Sequence, residues 1–540
     1  MTVYVPEDYT PAEADTLRRY FTNLDGPVFA LVNLPEVVKG ALFARYSRSS
    51  KSLRRLFLDE FVGDLDITGD HSVDATIGLE RAEELYEKVF FEYGDDSVAQ
   101  LGGVHLACEQ ASNVLTKVLE WGRLMSYLEQ STRYIAYDSR IGGRYRFYRD
   151  PAVLSSRFGT RYVGDMDRLF DTYSLLLAKV TDHIRGTVDR SPADSDFVFR
   201  QATRAKALDA VRGVLPAASL SNVGIYGSGQ AFEGLLLRMR SHPLPEARQY
   251  ADLMLHELRK VIPSFLRRVD IADRGGRWTN YLTTTRDRTS ELVDSLFGGT
   301  PVENAPSVQL IDWDRDAEDK LLAAICYTHT NLPETQLMQR VRTLGPTERL
   351  ALIRAYVGER ENRRHKPGRA FERVDYRFDV LSDYGAFRDL QRHRLLTIEW
   401  QPLTPNHGYV RPELVDDAGM TDIFDDAMAR SAALFDLLKD EFPNQASYAV
   451  SMAYRLRYSM QFNAREAIHM LELRSSPQGH PAYRQVVLEM HRLIGEQAGH
   501  SAIAESMNHM TMEASELERL DAERRAEVRR GQSESAATPL

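Results

Sequence analysis

One pattern occurs twice in this chain, and it constrains the fold more than any other feature. EARQYADLMLHELRKVIPSFLRR, from 246 to 268, is amphipathic at helical spacing, and PAYRQVVLEMHRLIGEQAG, from 481 to 499, repeats the pattern. Each follows an Arg-bearing helix, LLLRMRS at 235–241 and LELRSS at 471–476. Similar elements in the same order point to duplication. A chain of 540 residues also exceeds what one hydrophobic core ordinarily holds. Near 290–306, LFGGTPVENAPS places Gly, Pro and Asn between periodic segments and marks the joint. The expected division is an N-terminal domain over 1–305 with its motifs in 85–270, and a C-terminal domain over 306–515. A charged helix and disordered tail, ELERLDAERRAEVRR and GQSESAATPL, follow over 516–540.

The first half reads mainly as helix: RAEELYEKVFFEYG stopping at Gly94, then a long apolar-periodic stretch over 101–130. The second half alternates helices with short strands. VQLIDWD and DYRFDVL (375–381) read as strands, and DAEDKLLAAICYTHT as a helix that opens on Asp.

Several function classes are excluded by the totals. A net charge of −10 argues against a general nucleic-acid coat, while leaving room for a local basic pocket and an anionic small molecule. No apolar run is long enough to cross a bilayer, and MTVYVPEDYT lacks the basic and apolar parts of a secretion signal, so no membrane partner and a cytoplasmic location are expected. With only Cys108 and Cys326, neither a disulfide framework nor a Cys-based zinc site is available, and no metal is expected.

Against that acidic background, QRHRLLTIEW sets Arg392, His393 and Arg394 side by side. On a helix or turn they point about 100° apart, which suits a ligand wrapped round the backbone. Arg forks donate to phosphate or carbonyl oxygens, and a His ring stacks or donates. A solvated basic face would give the same string. In LEQSTRY, an extended backbone would put Glu129, Ser131 and Arg133 on one face, where carboxylate, hydroxyl and guanidinium could read a nucleotide. A polar edge strand or loop is the plainer alternative. FNAREAIHMLELR carries Asn463, Arg465, His469 and Arg474 on a helix, with Arg465 and His469 four apart on one face and Asn463 placed to cap it. Arg212 precedes an apolar, strand-like run in AVRGVLPAASLSNVG, where an ordinary surface Arg is the plain reading. No nucleophile elbow, Walker loop, zincin motif or paired C-x-x-C occurs.

Taken in order, these motifs resemble the flavin-dependent thymidylate synthases. That family carries an Arg-His-Arg triplet, a Ser three positions on, then Glu, Ser and Arg before a Tyr, and later an Asn-Ala-Arg helix ending in Leu-Arg. The second half keeps Arg392-His393-Arg394, Thr397 in the first Ser position, Asn463-Ala464-Arg465 and Leu473-Arg474. The first half keeps Arg123, Ser126, Glu129, Ser131, Arg133 and Tyr134, and Arg212 before Val214-Leu215-Pro216. Ser97 stands where the family has a small hydroxyl residue. The departures are complementary: Trp121 and Gly122 replace the first two triplet residues in the first half, with Arg238 standing for the terminal Arg. Pro402 and Thr404 replace Ser and Arg in the second.

The resemblance implies a tandem fusion of two α+β domains, each a twisted, mainly antiparallel sheet flanked by helices. It implies an FAD-dependent transfer of a one-carbon unit from methylenetetrahydrofolate to dUMP, with NADPH as reductant. By the same resemblance Arg392 and Arg474 would be catalytic. Arg392, His393, Arg394, Asn463, Arg465, His469 and Ser97 would bind the cofactor. Glu129, Ser131, Arg133, Arg212 and Arg474 would bind the nucleotide, at a composite site built from both halves. A homodimer would then reproduce the family's tetramer. The motif losses keep two alternatives open: a flavin- or nucleotide-binding descendant without catalysis, and a flavin enzyme acting on another pyrimidine nucleotide.

Overall fold

The computed structural model of the chain describes residues 4–60 and 102–513, with short gaps within 35–48 and at 193, and parts of 517–528. Its described strands form two antiparallel sheets. The first holds β1 (Val28–Leu31), β2 (Gly103–Ser112), β3 (Met125–Glu129) and β4 (Leu220–Ser228) in the order β1-β2-β4-β3. The second holds β5 (Val308–Trp313), β6 (Asp375–Asp383), β7 (Leu396–Trp400) and β8 (Arg455–Asn463) in the order β5-β6-β8-β7. The order is the same in both, so the fold is α+β and duplicated.

Side-chain alternation explains the second sheet. Tyr376, Phe378 and Val380 of β6 are buried, as are Leu456, Tyr458, Met460 and Phe462 of β8, with more accessible residues between them. Phe378 stacks on Phe462 across the pair at 5.5 Å between centroids. Strands β2 and β6 then end in residues that cap the next helix. The Ser112 hydroxyl accepts from Leu115 N at 3.0 Å, opening the helix Asn113–Leu119. The Asp383 carboxylate accepts from Ala386 N at 2.9 Å, opening Tyr384–Leu390. Both helices are 7 residues long, so residues 121–123 and 392–394 emerge at matching places before β3 and β7. Strands β4 and β8 likewise end in the caps Ser228 and Asn463, which open Gly229–Arg240 and Ala464–Arg474. One difference is a bulge in β2 between Cys108 and Ala111, where Gln110 takes φ 55°, while β6 pairs with β8 without a shift.

The chain separates into two compact units, and each includes a segment from the other half of the sequence. The first comprises Met1–Ser174, Leu215–Val302 and Ala429–Val450; the second comprises Leu175–Val214, Glu303–Met428 and Ser451–Leu540. In the first unit, Val450 O and Tyr448 O accept from Ala217 N and Ala218 N at 2.8 and 3.1 Å. In the second, Gly213 O accepts from Ala453 N at 2.8 Å, and Arg524 holds Asp194 at 2.6 and 2.9 Å.

Several sequence expectations need correction. The stretch 101–130 is not one helix but β2, a short helix and β3. Strand β2 is buried on both faces, which removes the alternation that would betray it. The amphipathic run at 246–268 is a helix over Pro245–Arg259, followed past Pro263 by a single 3-10 turn, Ser264–Leu266. At the joint between halves, the helix Arg277–Phe297 continues to Gly298 before the chain straightens. RAEELYEKVFFEYG, Ser97 and the final GQSESAATPL lie outside the described residues.

The first unit contains one fully buried carboxylate with a testable signature. Glu246 accepts from Ser112 N at 2.9 Å, from the Ser112 hydroxyl at 2.6 Å and from the Tyr448 hydroxyl at 2.6 Å. Burial nonetheless prevails over these bonds and pushes its pKa up to about 7. The folded state therefore holds a proton that the unfolded chain releases near pH 4.5. Its contribution is complete below pH 4.5 and is lost as pH rises to about 7. Chemical denaturation across that window should show stability falling by on the order of 3 kcal/mol from this group. Glu246→Gln should flatten that part of the profile.

Candidate functional site

The helix Ala464–Arg474 organises the candidate site in the second unit. The Asn463 carboxamide oxygen caps it, accepting from Glu466 N at 2.9 Å. Its apolar positions Ala467, Ile468, Met470 and Leu471 are buried, while Glu466, His469 and Arg474 meet the triplet residue His393. Arg474 Nε donates to His393 Nε2 at 3.0 Å, and His393 Nδ1 lies 2.9 Å from Glu466 Oε1. A guanidinium can only donate, so Nε2 is the unprotonated nitrogen and Nδ1–H donates to Glu466. Glu466 Oε2 lies 3.3 Å from His469 Nδ1, and the two imidazoles meet edge to face at 5.5 Å.

The electrostatics agree with that assignment. Burial holds the His393 pKa down at about 4, despite the carboxylate at Nδ1. Burial alone would raise Glu466, but hydrogen bonds with His393 and His469 prevail and hold it at about 2. We therefore take a neutral imidazole against an ionised carboxylate. Both His393 nitrogens are engaged, so its role is to aim the Arg474 guanidinium. Burial lowers the pKa of Arg474, Asp389 opposes that shift, and Arg392 adds to it.

Arg212 also belongs to this site, although it is encoded in the first half of the chain. It follows the helix Asp196–Val211, is buried, and directs Nη1 and Nη2 to Asp389 Oδ2, each at 3.4 Å. The surface reading of Arg212 is therefore wrong. Gly385 makes room for it: a Cβ there would lie 2.9 Å from Asp383 Oδ1 and 3.2 Å from Arg212 Nη2. Asp389 is thus flanked by Arg212 and acts on Arg474.

The back of the helix is fixed by a buried bidentate pair. Arg360 Nη1 and Nη2 donate to Glu472 Oε1 and Oε2, both at 2.6 Å, and Nη1 also reaches Ser506 O at 2.8 Å.

The remaining expected residues are placed as follows. Arg394 is exposed at the end of the triplet. Arg465 turns away from His469 to Pro367 O at 2.9 Å and Glu372 at 3.4 Å. In the first unit, Glu129, Ser131 and Arg133 do not form one extended face. Strand β3 ends at Glu129, whose buried carboxylate takes Lys117 Nζ at 3.2 Å. The chain then turns, with Ser131 O accepting from Tyr134 N and Ile135 N at 3.2 Å and the Ser131 hydroxyl accepting from Arg133 N at 3.3 Å.

The first unit also shows what replaced the triplet histidine. Arg238 lies beside Gly122 as Arg474 lies beside His393. A Cβ on Gly122 would come 3.4 Å from Arg238 Nη2 and 2.6 Å from the Tyr127 hydroxyl, and Arg238 sits 5.2 Å over the Trp121 ring. A histidine at 122 would need that space.

Sequence reading missed Glu466 and Asp389. The Asn463–Glu466 spacing was an available signal, since a carboxylate at the third helical position usually serves the cap and here serves the imidazoles. Nothing near Asp389 in sequence announces Arg212. His393, Glu466 and His469 also have donor atoms within 4.8 Å of one another, the spacing of a metal site. The Arg474 cation on His393 opposes a second cation there, and we read the three as a hydrogen-bonded relay. Among the described residues no helix is long and apolar enough to cross a membrane.

The family model described as thymidylate synthase complementing protein matches residues 41–264 and 309–498, once in each half. A UPF0159 protein of Chlamydia pneumoniae is 39% identical over 485 residues, covering 89% of this chain and 91% of the relative. One from Chlamydia muridarum is 37% identical, covering 89% and 92%. UPF0159 protein Ta1429 of Thermoplasma acidophilum is 32% identical, covering 91% and 99%.

Removing Arg360 would leave the Glu472 carboxylate buried without its partner. Arg360→Ala should therefore destabilise the chain by roughly 3–5 kcal/mol, measured by denaturant unfolding. A loss under about 1 kcal/mol, the scale of an exposed pair, would show that the bond does not anchor the helix.

Proposed function

The chain belongs to the thymidylate synthase complementing protein family, the flavin-dependent thymidylate synthases, and from that premise we propose that it transfers a one-carbon unit from methylenetetrahydrofolate to dUMP in the cytoplasm, with FAD as hydride carrier and NADPH as reductant. The observation that carries this reading is Arg212, which joins the Arg474–His393–Glu466 network through Asp389. Residues from both halves of the sequence thus meet within one unit.

The donor set fits FAD and a nucleotide phosphate. Asp389 binds Arg212 and acts on Arg474, Arg392 acts on Arg474 as well, and forked guanidinium groups match phosphate oxygens. Arg392 and Arg394 would hold the flavin nucleotide, with His393, engaged at both nitrogens, acting through Arg474; Arg212 and Arg474 would hold the dUMP phosphate. When bound, FAD supplies the hydride chemistry. The protein's part is orientation and charge: His393 fixes the direction of Arg474, whose guanidinium would offset negative charge developing on the pyrimidine. A protein thiol is not required, which suits Cys108, fully buried with its pKa pushed up by that burial. On the family motif, Ser131 and Arg133 are further proposed nucleotide contacts, while Glu129 is committed to Lys117. Two chains, each with two sheets of the same order, would assemble as a homodimer.

A second reading is favoured by Gly122, which removes the triplet histidine from the first unit: a descendant that binds flavin or nucleotide without making thymidylate. Purified protein should be yellow, and dUMP should perturb its flavin spectrum. The native chain should rescue a thymidine auxotroph, whereas Arg474→Ala and Arg212→Ala should not. Flavin binding without rescue by the native chain selects the second reading, and a colourless protein that gains no signal from added FAD rejects both. Sedimentation should give twice the chain mass.

A further inference from the structure

We propose that the first unit carries a separate pocket for a phosphomonoester dianion, gripped by Arg144, Arg146 and Arg149 and walled by tyrosines. The segment RYRFYRD, 144–150, supplies all three guanidinium groups, and the pocket is also lined by Tyr4, Tyr148 and Tyr250, with no carboxylate lining it among the described residues. Arg146 and Arg149 are 5% and 9% exposed, too buried for water to satisfy them fully.

Their present partners are carbonyls and ring faces. Arg149 Nη1 donates to Tyr145 O at 3.0 Å and to Phe147 O at 3.1 Å, and its guanidinium sits 3.8 Å over the Phe147 ring. Arg146 Nη2 donates to Ala136 O, its guanidinium lies 4.3 Å over Tyr137, and its buried Nε has no hydrogen-bond partner. Burial pushes the pKa of Arg149 down, with Asp167 opposing and Arg144 adding to the shift. Other nearby carboxylates are engaged elsewhere. Asp171 takes the Tyr145 hydroxyl at 2.5 Å, Asp150 caps the helix Pro151–Ser155, and Glu109 takes the Tyr4 hydroxyl at 3.1 Å.

Buried cations whose hydrogen bonds go to carbonyls, with Asp167 acting on Arg149 only through space, are costly, and a dianion would offset that cost. A guanidinium has five N–H donors, and those seen here use only a few. The aromatic walls suit an organic body attached to the phosphate. None of these residues belongs to the Arg474–His393 site, so the pocket does not depend on the proposed reaction.

Calorimetric titration of the full chain tests this with inorganic phosphate, phenyl phosphate and benzoate. Both phosphates should bind, phenyl phosphate more tightly, and benzoate should bind weakly. Arg144→Gln, at the exposed mouth, should weaken phenyl phosphate roughly tenfold, and Arg146→Met should do at least as much with the melting temperature checked alongside. Arg474→Ala, which removes the proposed dUMP-phosphate site, should still leave one phenyl phosphate site per chain. The proposal is overturned if phenyl phosphate gives no binding, if benzoate matches it, or if Arg474→Ala abolishes binding that Arg144→Gln spares.

Discussion

The hydrogen bond from Arg474 Nε to His393 Nε2 is the contact on which the candidate site depends. It fixes the protonation of the imidazole, because a donor at Nε2 leaves the proton on Nδ1, where Glu466 accepts it. It also fixes the guanidinium, which is held by His393 along one edge and hydrogen-bonds to Tyr483 as well. Each partner is secured from behind. The Asn463 cap sets the start of the helix, and Arg360 clamps Glu472 on its far side. The site is therefore a rigid array of charge, suited to orienting ligands more than to attacking them.

The two halves show how duplication permits divergence. Their sheets share strand order, both carry a seven-residue helix after the second strand, and both bring a three-residue stretch to the same place. Within that common frame one copy keeps His393 and the other has Gly122, whose space is taken by Tyr127 and Arg238. The lost histidine is a local exchange of volume, with the surrounding backbone retained.

Much of the second half was legible from sequence because its strands have one accessible face. VQLIDW and DYRFDVL alternate, and both form the strands expected. The first half was harder for the same physical reason in reverse. Strand β2 is buried on both sides, so its apolar run carries no period of two and passes for helix. In LEQSTRY the extended face fails past Glu129 and the loop alternative holds, because Ser131 starts a turn stabilised by its own hydroxyl. Arg212 shows the deeper limit. Its burial depends on Asp389, a partner 177 positions away, and on the missing side chain at Gly385. No local pattern encodes such a pair, whereas the triplet and the Asn-Ala-Arg run are contiguous and could be recognised whole.

The exchange of segments between halves has a consequence for biosynthesis. The first unit includes Ala429–Val450, so it cannot be completed until that stretch has left the ribosome. Its sheet, fully translated long before, must wait with the surface that receives Tyr448 uncovered. The order of synthesis and the order of completion therefore part company, and a gene cut at the joint would encode two pieces, each lacking a segment that the other supplies.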